Sequence, residues 1–351
     1  MKTNLSILLG FLLVISGCSK NDGNIGMVPG AQLIQTASST AKASNKSLVG
    51  DPADVTKSTT GGTCLMGGGT DVDAAFNWMI SKSGGGDFVV IRVDNSNGYN
   101  SYIYDMGGVN SVETVVIAKA ADANNAVIST KIRNAEALFI TGGDQANYVR
   151  LWKNTLVEDA VNYLINTKKV PVGGTSAGCA ILGSSYFSAL NGSVTSAQAL
   201  ANPYNSLVTL GHDDFINIPV LKNSITDQHY TQRGREGRLV TFLARMYKDK
   251  TILIPRGIAS DEQTAVCIDE NGIATVFGLN NAYFLQITSS GPETCVAGKP
   301  LTWNNTAKAI KGYRIKGSAT GNGSFDLKNY STVSGGDWLY YYVNSGIFYM
   351  I

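Results

Sequence analysis

The stretch VPVGGTSAGCAILG, residues 170–183, runs from a short apolar segment through a glycine-rich turn with one serine into a second apolar segment. Its centre, GTSAG, satisfies the G-x-S-x-G pattern of a nucleophile elbow, which holds a serine on a sharp strand-to-helix turn. Small neighbours let other groups approach the hydroxyl, and the helix N-terminus offers backbone N–H groups to an oxyanion. Because so short a pattern often arises by chance, Ser176 needs support from the rest of the chain.

Similar short apolar runs alternate with segments of helical periodicity upstream of this stretch. The predicted strands are TCLMGG (63–68), DFVVIRVD (87–94), VETVVIA (112–118), EALFITGG (136–143) and KKVPVGG (168–174). Apolar strands separated by helices predict an α/β fold, with a mainly parallel central sheet and helices on both faces. Polar and aromatic alternation from residue 291 onward predicts additional β structure toward the C-terminus, and the apolar end at residues 348–351 is expected to be tucked into the fold.

Three glycine-rich turns each follow one of these strands directly. They are MGGGT at 66–70, TGGDQ at 141–145 and GGTSAG at 173–178. The carboxyl ends of parallel strands meet at one edge of a sheet, where ligand sites gather. We therefore expect the three turns to lie together and to form a site.

The N-terminus has the pattern of a targeting segment. Lys2 precedes an apolar run, Leu5 to Ile15, that is shorter than the roughly 20 residues needed to span a membrane. The run ends in ISGC, which resembles the lipobox of bacterial lipoproteins, although an ordinary secretory signal with an incidental cysteine remains the alternative. We predict a signal peptide over 1–18, a lipidated Cys18 and a flexible tether over 19–58. The protein is then expected to be exported and anchored by its lipid to a bacterial membrane. The outer membrane is favoured, with the protein facing the periplasm or the surface.

Composition limits the partners and cofactors. The 351 residues carry a formal net charge of +2, which gives no reason to expect nucleic acid. No Cys/His spacing resembles a metal site, and we expect no cofactor. Export implies an oxidising compartment, where four further cysteines allow three connectivities or remain buried thiols. They are Cys64, Cys179, Cys267 and Cys295.

A nucleophilic serine needs a base, and the chain has only two histidines. His212 lies among polar residues in GHDDF. His229 lies in DQHYTQRGREGRL, followed by three arginines, at 233, 235 and 238, which do not form a regular i, i+4 stripe. Guanidinium groups so close to a histidine favour the binding of a substrate carboxylate. Asp261 and Glu262, after another apolar run, are the candidates for the acid that orients the histidine.

These motifs, in this order across roughly residues 60–290, resemble the cyanophycinase family of serine peptidases, family S51. The specific features are the glycine turns, the DQH run with its spaced arginines, and GIASDEQTA at 257–265. The resemblance implies a fold similar to class I glutamine amidotransferases. It also implies a catalytic domain over 59–290, with a β extension over 291–351 packed on it.

The resemblance also implies roles for individual residues. Ser176 matches the nucleophile, His229 the general base and Glu262 the orienting acid, with Asp261 as the fallback. Six positions match the substrate pocket: Gln145, Asp227, Gln228, Arg233, Arg235 and Arg238. Backbone N–H groups of Gly143 or Asp144, together with Ala177, match the oxyanion hole.

The expected activity is hydrolysis of amide bonds in aspartate-containing peptides or a cyanophycin-like polymer, through an acyl-enzyme. One alternative is a catalytically silent lipoprotein that binds acidic peptides in the same pocket. Another is an α/β-hydrolase esterase, whose acid precedes its histidine; Asp213 or Asp214 could mimic that order, but no histidine follows His229 near the C-terminus. The oligomeric state stays open, with a homodimer as one candidate.

Overall fold

The computed structural model of the protein describes residues 47–250 and 252–351. The predicted signal peptide, Cys18 and the tether up to residue 46 lie outside the described residues. Within the described ranges, no helix combines the length and the apolar character that crossing a membrane requires.

The described chain folds into two sheets with helices around them. The strands are β1 Leu48–Gly50, β2 Gly62–Met66, β3 Asp87–Arg92, β4 Ser111–Val116, β5 Ala137–Ile140, β6 Pro171–Thr175, β7 Ser185–Phe187, β8 Leu210–His212, β9 Ser224–Gln228, β10 Arg256–Ser260, β11 Thr264–Asp269, β12 Ile273–Gly278, β13 Asn281–Ile287, β14 Ile310–Lys316, β15 Asn322–Asp326, β16 Val333–Ser334, β17 Gly336–Asn344 and β18 Ile347–Met350. The helices are α1 Asp73–Lys82, α2 Tyr99–Tyr104, α3 Ala120–Ala123, α4 Ala126–Asn134, α5 Gln145–Trp152, α6 Leu156–Tyr163, α7 Ala177–Ala180, α8 Ser196–Ala201 and α9 Glu236–Lys250.

The first sheet has the order β1-β4-β3-β5-β6-β2-β11-β12-β15-β16. Its strands β4, β3, β5, β6 and β2 run parallel to one another. All four residues of β5 and all five of β6 are buried, as expected for strands covered on both faces. The predicted α/β fold with a largely parallel sheet is confirmed.

A second sheet of eight strands was not foreseen. Its order is β18-β17-β14-β13-β10-β9-β7-β8, and β9 lies parallel to β10 and to β7. All residues of β9 and all but the first of β10 are buried, but their sequences, SITDQ and RGIAS, do not say which sheet these strands join. Sheet membership is decided by contacts between segments that are far apart in the chain.

The segment between the strands predicted at 136–143 and 168–174 does not form one continuous helix. α5 ends at Trp152, α6 begins at Leu156, and a π-helical turn over Leu164–Lys168 follows. Between them Asn154 has φ 59°, a left-handed conformation that asparagine tolerates better than most residues. The break lets α6 take its own direction while Val157, Ala160 and Val161 stay buried.

Both ends of the described chain are held by strands. β1, within the segment predicted as a tether, pairs antiparallel with β4, and Val55 N–H donates to Asp87 Oδ2 at 3.1 Å. At the other end β14 and β17 extend the second sheet from β13. The expectation that the C-terminus is tucked in is wrong: β18 is an edge strand, and Ile351 is 60% exposed.

The strand order brings the three glycine turns together. β5, β6 and β2 are successive neighbours and run parallel. Their carboxyl ends lead into TGGDQ, GGTSAG and MGGGT. The predicted meeting of these turns at one edge of the sheet is confirmed.

Candidate active site

Ser176 lies on a strained turn between β6 and α7. Its backbone has φ 51° and ψ −116°, which is a costly conformation for a residue with a side chain. Glycines make the turn possible: a Cβ at Gly174 would come within 2.6 Å of the Gly178 carbonyl carbon, and one at Gly178 within 2.2 Å of the Ile140 carbonyl oxygen. Ser176 itself is half-buried rather than enclosed.

His229 stands directly opposite this serine. Its Nε2 lies 2.8 Å from Ser176 Oγ, and its Nδ1 lies 2.5 Å from Glu262 Oε1. With Nδ1 protonated and donating to the carboxylate, Nε2 is free to accept the serine proton. His229 also has a positive φ, 47°, and its N–H donates to Gly67 O at 2.8 Å. The three side chains therefore form one continuous hydrogen-bonded chain.

The structure distinguishes the two acids that the residue pattern left open. Glu262 contacts the histidine, whereas the buried Asp261 accepts from the backbone and hydroxyl of Thr231, at 2.9 and 2.8 Å, and from Asn281 N–H. Asp261 therefore organises the turn that follows His229. Glu262 is 29% exposed at its side chain, and Arg233 Nε lies 3.8 Å from its Oε1.

The electrostatic surroundings keep His229 neutral at neutral pH. Burial lowers the pKa of His229 below its ordinary value of 6.5; the hydrogen bond to Glu262 opposes this, and the charges of Arg233 and Arg235 lower the pKa further. A neutral imidazole is the form that can accept a proton from a hydroxyl.

The MGGGT turn after β2 covers the histidine and its acid. A Cβ at Gly68 would meet the His229 ring at 2.3 Å, and one at Gly69 would meet the Glu262 Cβ at 3.2 Å. Both glycines have positive φ, 95° and 75°. The first glycine turn thus forms a wall against the imidazole, which only residues without side chains can provide at this distance.

The TGGDQ turn after β5 lies beside the serine. A Cβ at Gly142 would lie 3.4 Å from the Ser176 Cβ, and Gly143 has φ 151°. Asp144 caps α5, since its Oδ1 accepts from Ala146 N–H at 2.9 Å. Ala177, the residue after the serine, is the first of α7. Of the predicted oxyanion-hole residues, Ala177 thus directly follows Ser176, and Gly143 and Asp144 directly follow the glycine that lies beside it.

The predicted substrate residues fall into two groups. Asp227 and Arg238 are 2% and 1% exposed and form an ion pair. Arg238 Nε donates to Asp227 Oδ2 at 2.9 Å, and Arg238 Nη2 donates to Asp227 Oδ1. This ion pair is buried behind the site instead of open to a ligand. Sequence reasoning missed it because the spacing of charges does not reveal burial.

The remaining arginines lie closer to the surface. Arg233 is 53% exposed at its side chain, whereas Arg235 is half-buried and donates to the backbone oxygen of Gln228 at 2.8 Å and to its side-chain oxygen. Burial, followed by the nearby charge of Arg238, lowers the pKa of Arg235 to about 10, so it stays cationic at neutral pH. Gln145 lies half-buried at the start of α5, where its Nε2 reaches Phe187 O at 3.5 Å.

The second histidine belongs elsewhere. His212 Nδ1 bonds Ser185 Oγ at 2.7 Å, and its Nε2 lies 3.1 Å from Asp213. Ser185 is fully buried, so its hydroxyl is not exposed as that of Ser176 is. Asp214 is paired with Lys153 and accepts from Tyr186, so neither aspartate contacts His229.

A cavity of about 520 Å³ opens beside the covering turn. It is lined by Gly69, Thr70, Asp71, Arg92, Ser96, Gly98, Tyr99 and Tyr102. Arg92 ends β3 at the same sheet edge as the glycine turns, a position that the sequence pattern contained but that we did not single out. Within residues 47–250 and 252–351, no three metal-ligating side chains are gathered closely enough to hold a metal ion.

An α/β fold that brings a Ser–His–Glu hydrogen-bonded chain together at the carboxyl ends of its strands has the arrangement of a serine-type hydrolase. The model of peptidase family S51 matches residues 93–276, just over half of the chain. The chain belongs to peptidase family S51, and the predicted family is confirmed.

The chain is similar to two cyanophycinases and to one peptidase of known structure. The chain is 24% identical over 214 residues to a cyanophycinase of Nostoc sp. strain PCC 7120, covering 60% of this chain and 66% of that protein, slightly under two thirds of its length. It is 27% identical over 180 residues to a cyanophycinase of Synechococcus elongatus, covering 51% and 50%. The crystal structure of a peptidase from an acI-B1 Actinobacterium aligns with a TM-score of 0.46 and 16% identity, covering 68% of this chain and 98% of that chain.

Proposed function

We propose that the protein is a serine peptidase that cleaves amide bonds in peptides or polymers carrying aspartyl carboxylates. The observation that carries the proposal is the hydrogen-bonded chain from Ser176 through His229 to Glu262, 2.8 and 2.5 Å long at its two bonds. A protein that only bound acidic peptides would have no need of an accessible serine joined to a neutral histidine and a carboxylate.

In the proposed mechanism, Ser176 Oγ attacks the amide carbonyl carbon while His229 Nε2 takes its proton. The tetrahedral oxyanion accepts hydrogen bonds from the backbone of Ala177 and of Gly143 or Asp144. His229 then protonates the leaving amine as the C–N bond breaks, which leaves an acyl-serine. A water molecule, deprotonated by the same imidazole, attacks this ester and restores the enzyme.

The substrate preference rests on the charges around this chain. Arg233 is exposed and lies next to Glu262, so it offers a guanidinium to a substrate carboxylate on the histidine side of the site. Arg235, which donates a hydrogen bond to the Gln228 backbone oxygen, adds a second positive charge farther from the surface. We propose that Arg233 and Gln145 contact the substrate, and that Asp227, Gln228 and Arg238 hold the arginines in position.

The test is incubation of the full chain with cyanophycin and with a panel of aspartyl dipeptides, followed by mass analysis of the products. Ser176→Ala should lower the rate at least about 1000-fold, because no other group in the site replaces the nucleophile. Ser185→Ala, which removes a hydroxyl from the other Ser–His pair, is the matched control and should keep the wild-type rate.

The products separate the candidate substrates. Aspartyl-arginine dipeptides released from the polymer would identify polymer cleavage, and free amino acids from the panel would identify a dipeptidase. Hydrolysis that persists in Ser176→Ala would contradict the mechanism. Binding of acidic peptides by the wild type without any turnover would favour the silent lipoprotein instead.

A further inference from the structure

Two of the four cysteines face each other across a pair of strands. Cys64 on β2 and Cys267 on β11 are direct partners in the antiparallel register. Both side chains belong to the same buried cluster on one face of the sheet, together with Met66, Phe76 and Met79. The structure holds them as thiols in hydrogen-bond contact, 0% and 1% exposed.

The hydrogen-bond pattern shows what kind of pair this is. Gly67 N–H donates to Thr264 O at 2.9 Å, so Met66 and Ala265 form a pair without mutual hydrogen bonds. Pairs alternate along an antiparallel ladder, and Cys64–Cys267 lies two positions further on, so it is of the same kind. Cα atoms in such pairs are about 4.5 Å apart. A disulfide requires a Cα separation of about 4.4 to 6.8 Å.

We propose that Cys64 and Cys267 are the site of a cross-strand disulfide. Among the residues that the structure describes, the other two cysteines have no such cross-strand partner: Cys179 lies in α7, and Cys295 belongs to a different buried cluster. This pairs Cys64 with Cys267 and leaves Cys179 and Cys295 as thiols, which is an arrangement intermediate between the fully paired connectivities and four free thiols. The proposal does not depend on the protein's being a peptidase.

The bond has to form while the chain folds. Burial raises the pKa of the Cys267 thiol well above its ordinary value, so the reactive thiolate is scarce once β2 and β11 have paired. During folding, one thiolate attacks a small-molecule disulfide such as oxidised glutathione and releases one glutathione thiolate. The second cysteine thiolate then attacks the protein sulfur of the mixed disulfide and releases the other, so that two protein thiols and one glutathione disulfide become one protein disulfide and two glutathiones.

The consequence is a covalent link at the base of the proposed active site. β2 leads into Gly68 and Gly69, which contact His229 and Glu262, and β11 begins two residues after Glu262. A bond between these strands ties the glycine wall to the segment that carries the acid. It also joins residues far apart in the chain, which restricts the unfolded state most strongly.

The test is refolding of the full chain from denaturant in a mixture of reduced and oxidised glutathione, followed by alkylation and digestion without reduction. Trypsin together with a glutamate-specific protease places Cys64 in residues 58–82, Cys267 in 263–270 and Cys295 in 294–308, since trypsin does not cleave between Lys299 and Pro300. The expected product joins 58–82 to 263–270, and both peptides separate after reduction.

Stability gives a second readout. The oxidised wild type should melt on the order of 5–10 °C above its reduced form. Cys64→Ala should lose this difference, whereas Cys295→Ala, the matched control, should keep it. Separate, fully alkylated 58–82 and 263–270 peptides from the refolded wild type would overturn the proposal, as would a bridge to Cys179 or Cys295. Even where a variant fails to fold, the peptide map of the wild type shows whether Cys64 and Cys267 form a disulfide.

Discussion

At the scale of single residues, Ser176 and His229 share a costly backbone conformation. Both have positive φ, 51° and 47°, although neither is a glycine. Such strain persists only where the surroundings impose it, and it concentrates at functional sites. Here the close contacts of Gly174 with Gly178, and of Gly68 with the imidazole, impose it. The backbone strain therefore supports a functional role for Ser176 and His229, the same two residues that the hydrogen-bonded chain joins.

The first residue-scale prediction concerns the pH dependence of catalysis. His229 acts as a base only when neutral, and its pKa lies below 6.5, so kcat/KM should be constant near pH 7 and fall as the pH drops through that lowered pKa. Arg233→Gln removes a nearby positive charge, which raises the pKa of His229. The acid limb of the profile should move to higher pH, and the movement should be smaller at high salt.

Arg314→Gln is the control for this change. Arg314 is an exposed arginine whose partner is Asp337, and its removal should leave the acid limb in place. If the acid limb of the kcat/KM profile, measured from pH 4.5 to 8, is unchanged in Arg233→Gln, the charge of Arg233 does not lower the pKa of His229.

At the scale of secondary structure elements, the turn from β6 to α7 depends on close contact with its neighbour β5. The Gly178 Cα faces the carbonyl oxygen of Ile140, with no room for a methyl group between them. The glycine pattern is thus a packing requirement between α7 and β5 as well as a requirement of the turn. The G-x-S-x-G pattern alone is therefore a weak signal, because Ile140, the residue against which Gly178 packs, lies outside the motif.

Gly178→Ala tests this contact. Because the added Cβ would come within 2.2 Å of Ile140 O, the turn must shift and displace Ser176, with an expected rate loss of about 100-fold and a lower melting temperature. Gly98→Ala is the control, since its Cβ would have only Ser96 Oγ, at 3.8 Å, as a neighbour. Steady-state kinetics and thermal melting should separate the two variants, and equal activity would refute the packing argument.

At the scale of the whole molecule, the proposed triad is assembled from two sheets. Ser176 follows β6 of the first sheet, whereas His229 and Glu262 follow the neighbouring parallel strands β9 and β10 of the second. β10 continues through Glu262 into β11, which returns to the first sheet beside β2. The relative position of the two sheets therefore determines the distance between nucleophile and base.

The C-terminal residues belong to this framework. β14 pairs with β13 along seven register positions, and Phe325 stacks on Phe284 with centroids 4.1 Å apart. Truncation after residue 290 would expose these surfaces, so we expect the product to lack a cooperative thermal transition. Truncation after residue 346 removes only β18 and the exposed Ile351, and should keep a cooperative transition at a somewhat lower temperature. Cooperative melting of the shorter form would contradict this role.

The sequence predicted much of the fold because the relevant signals are local. Buried strands appear as apolar runs, the elbow as small residues at fixed spacing, and the three glycine turns as strand ends. Parallel pairing then brings those turns together. The break at Asn154 was not predicted, because a left-handed asparagine leaves no mark on helical periodicity.

Tertiary contacts settled the points that are not local. The residue pattern proposed both Asp261 and Glu262 for the histidine, and only the path of the chain after β10 turns Glu262 toward it and Asp261 toward Thr231. The residue pattern predicted that all three arginines bind a substrate carboxylate, but Arg238 is buried against Asp227, behind the other two. Local order thus follows from the chemistry of neighbouring residues, whereas burial, sheet membership and the pairing of Cys64 with Cys267 depend on which distant segments meet when the chain folds.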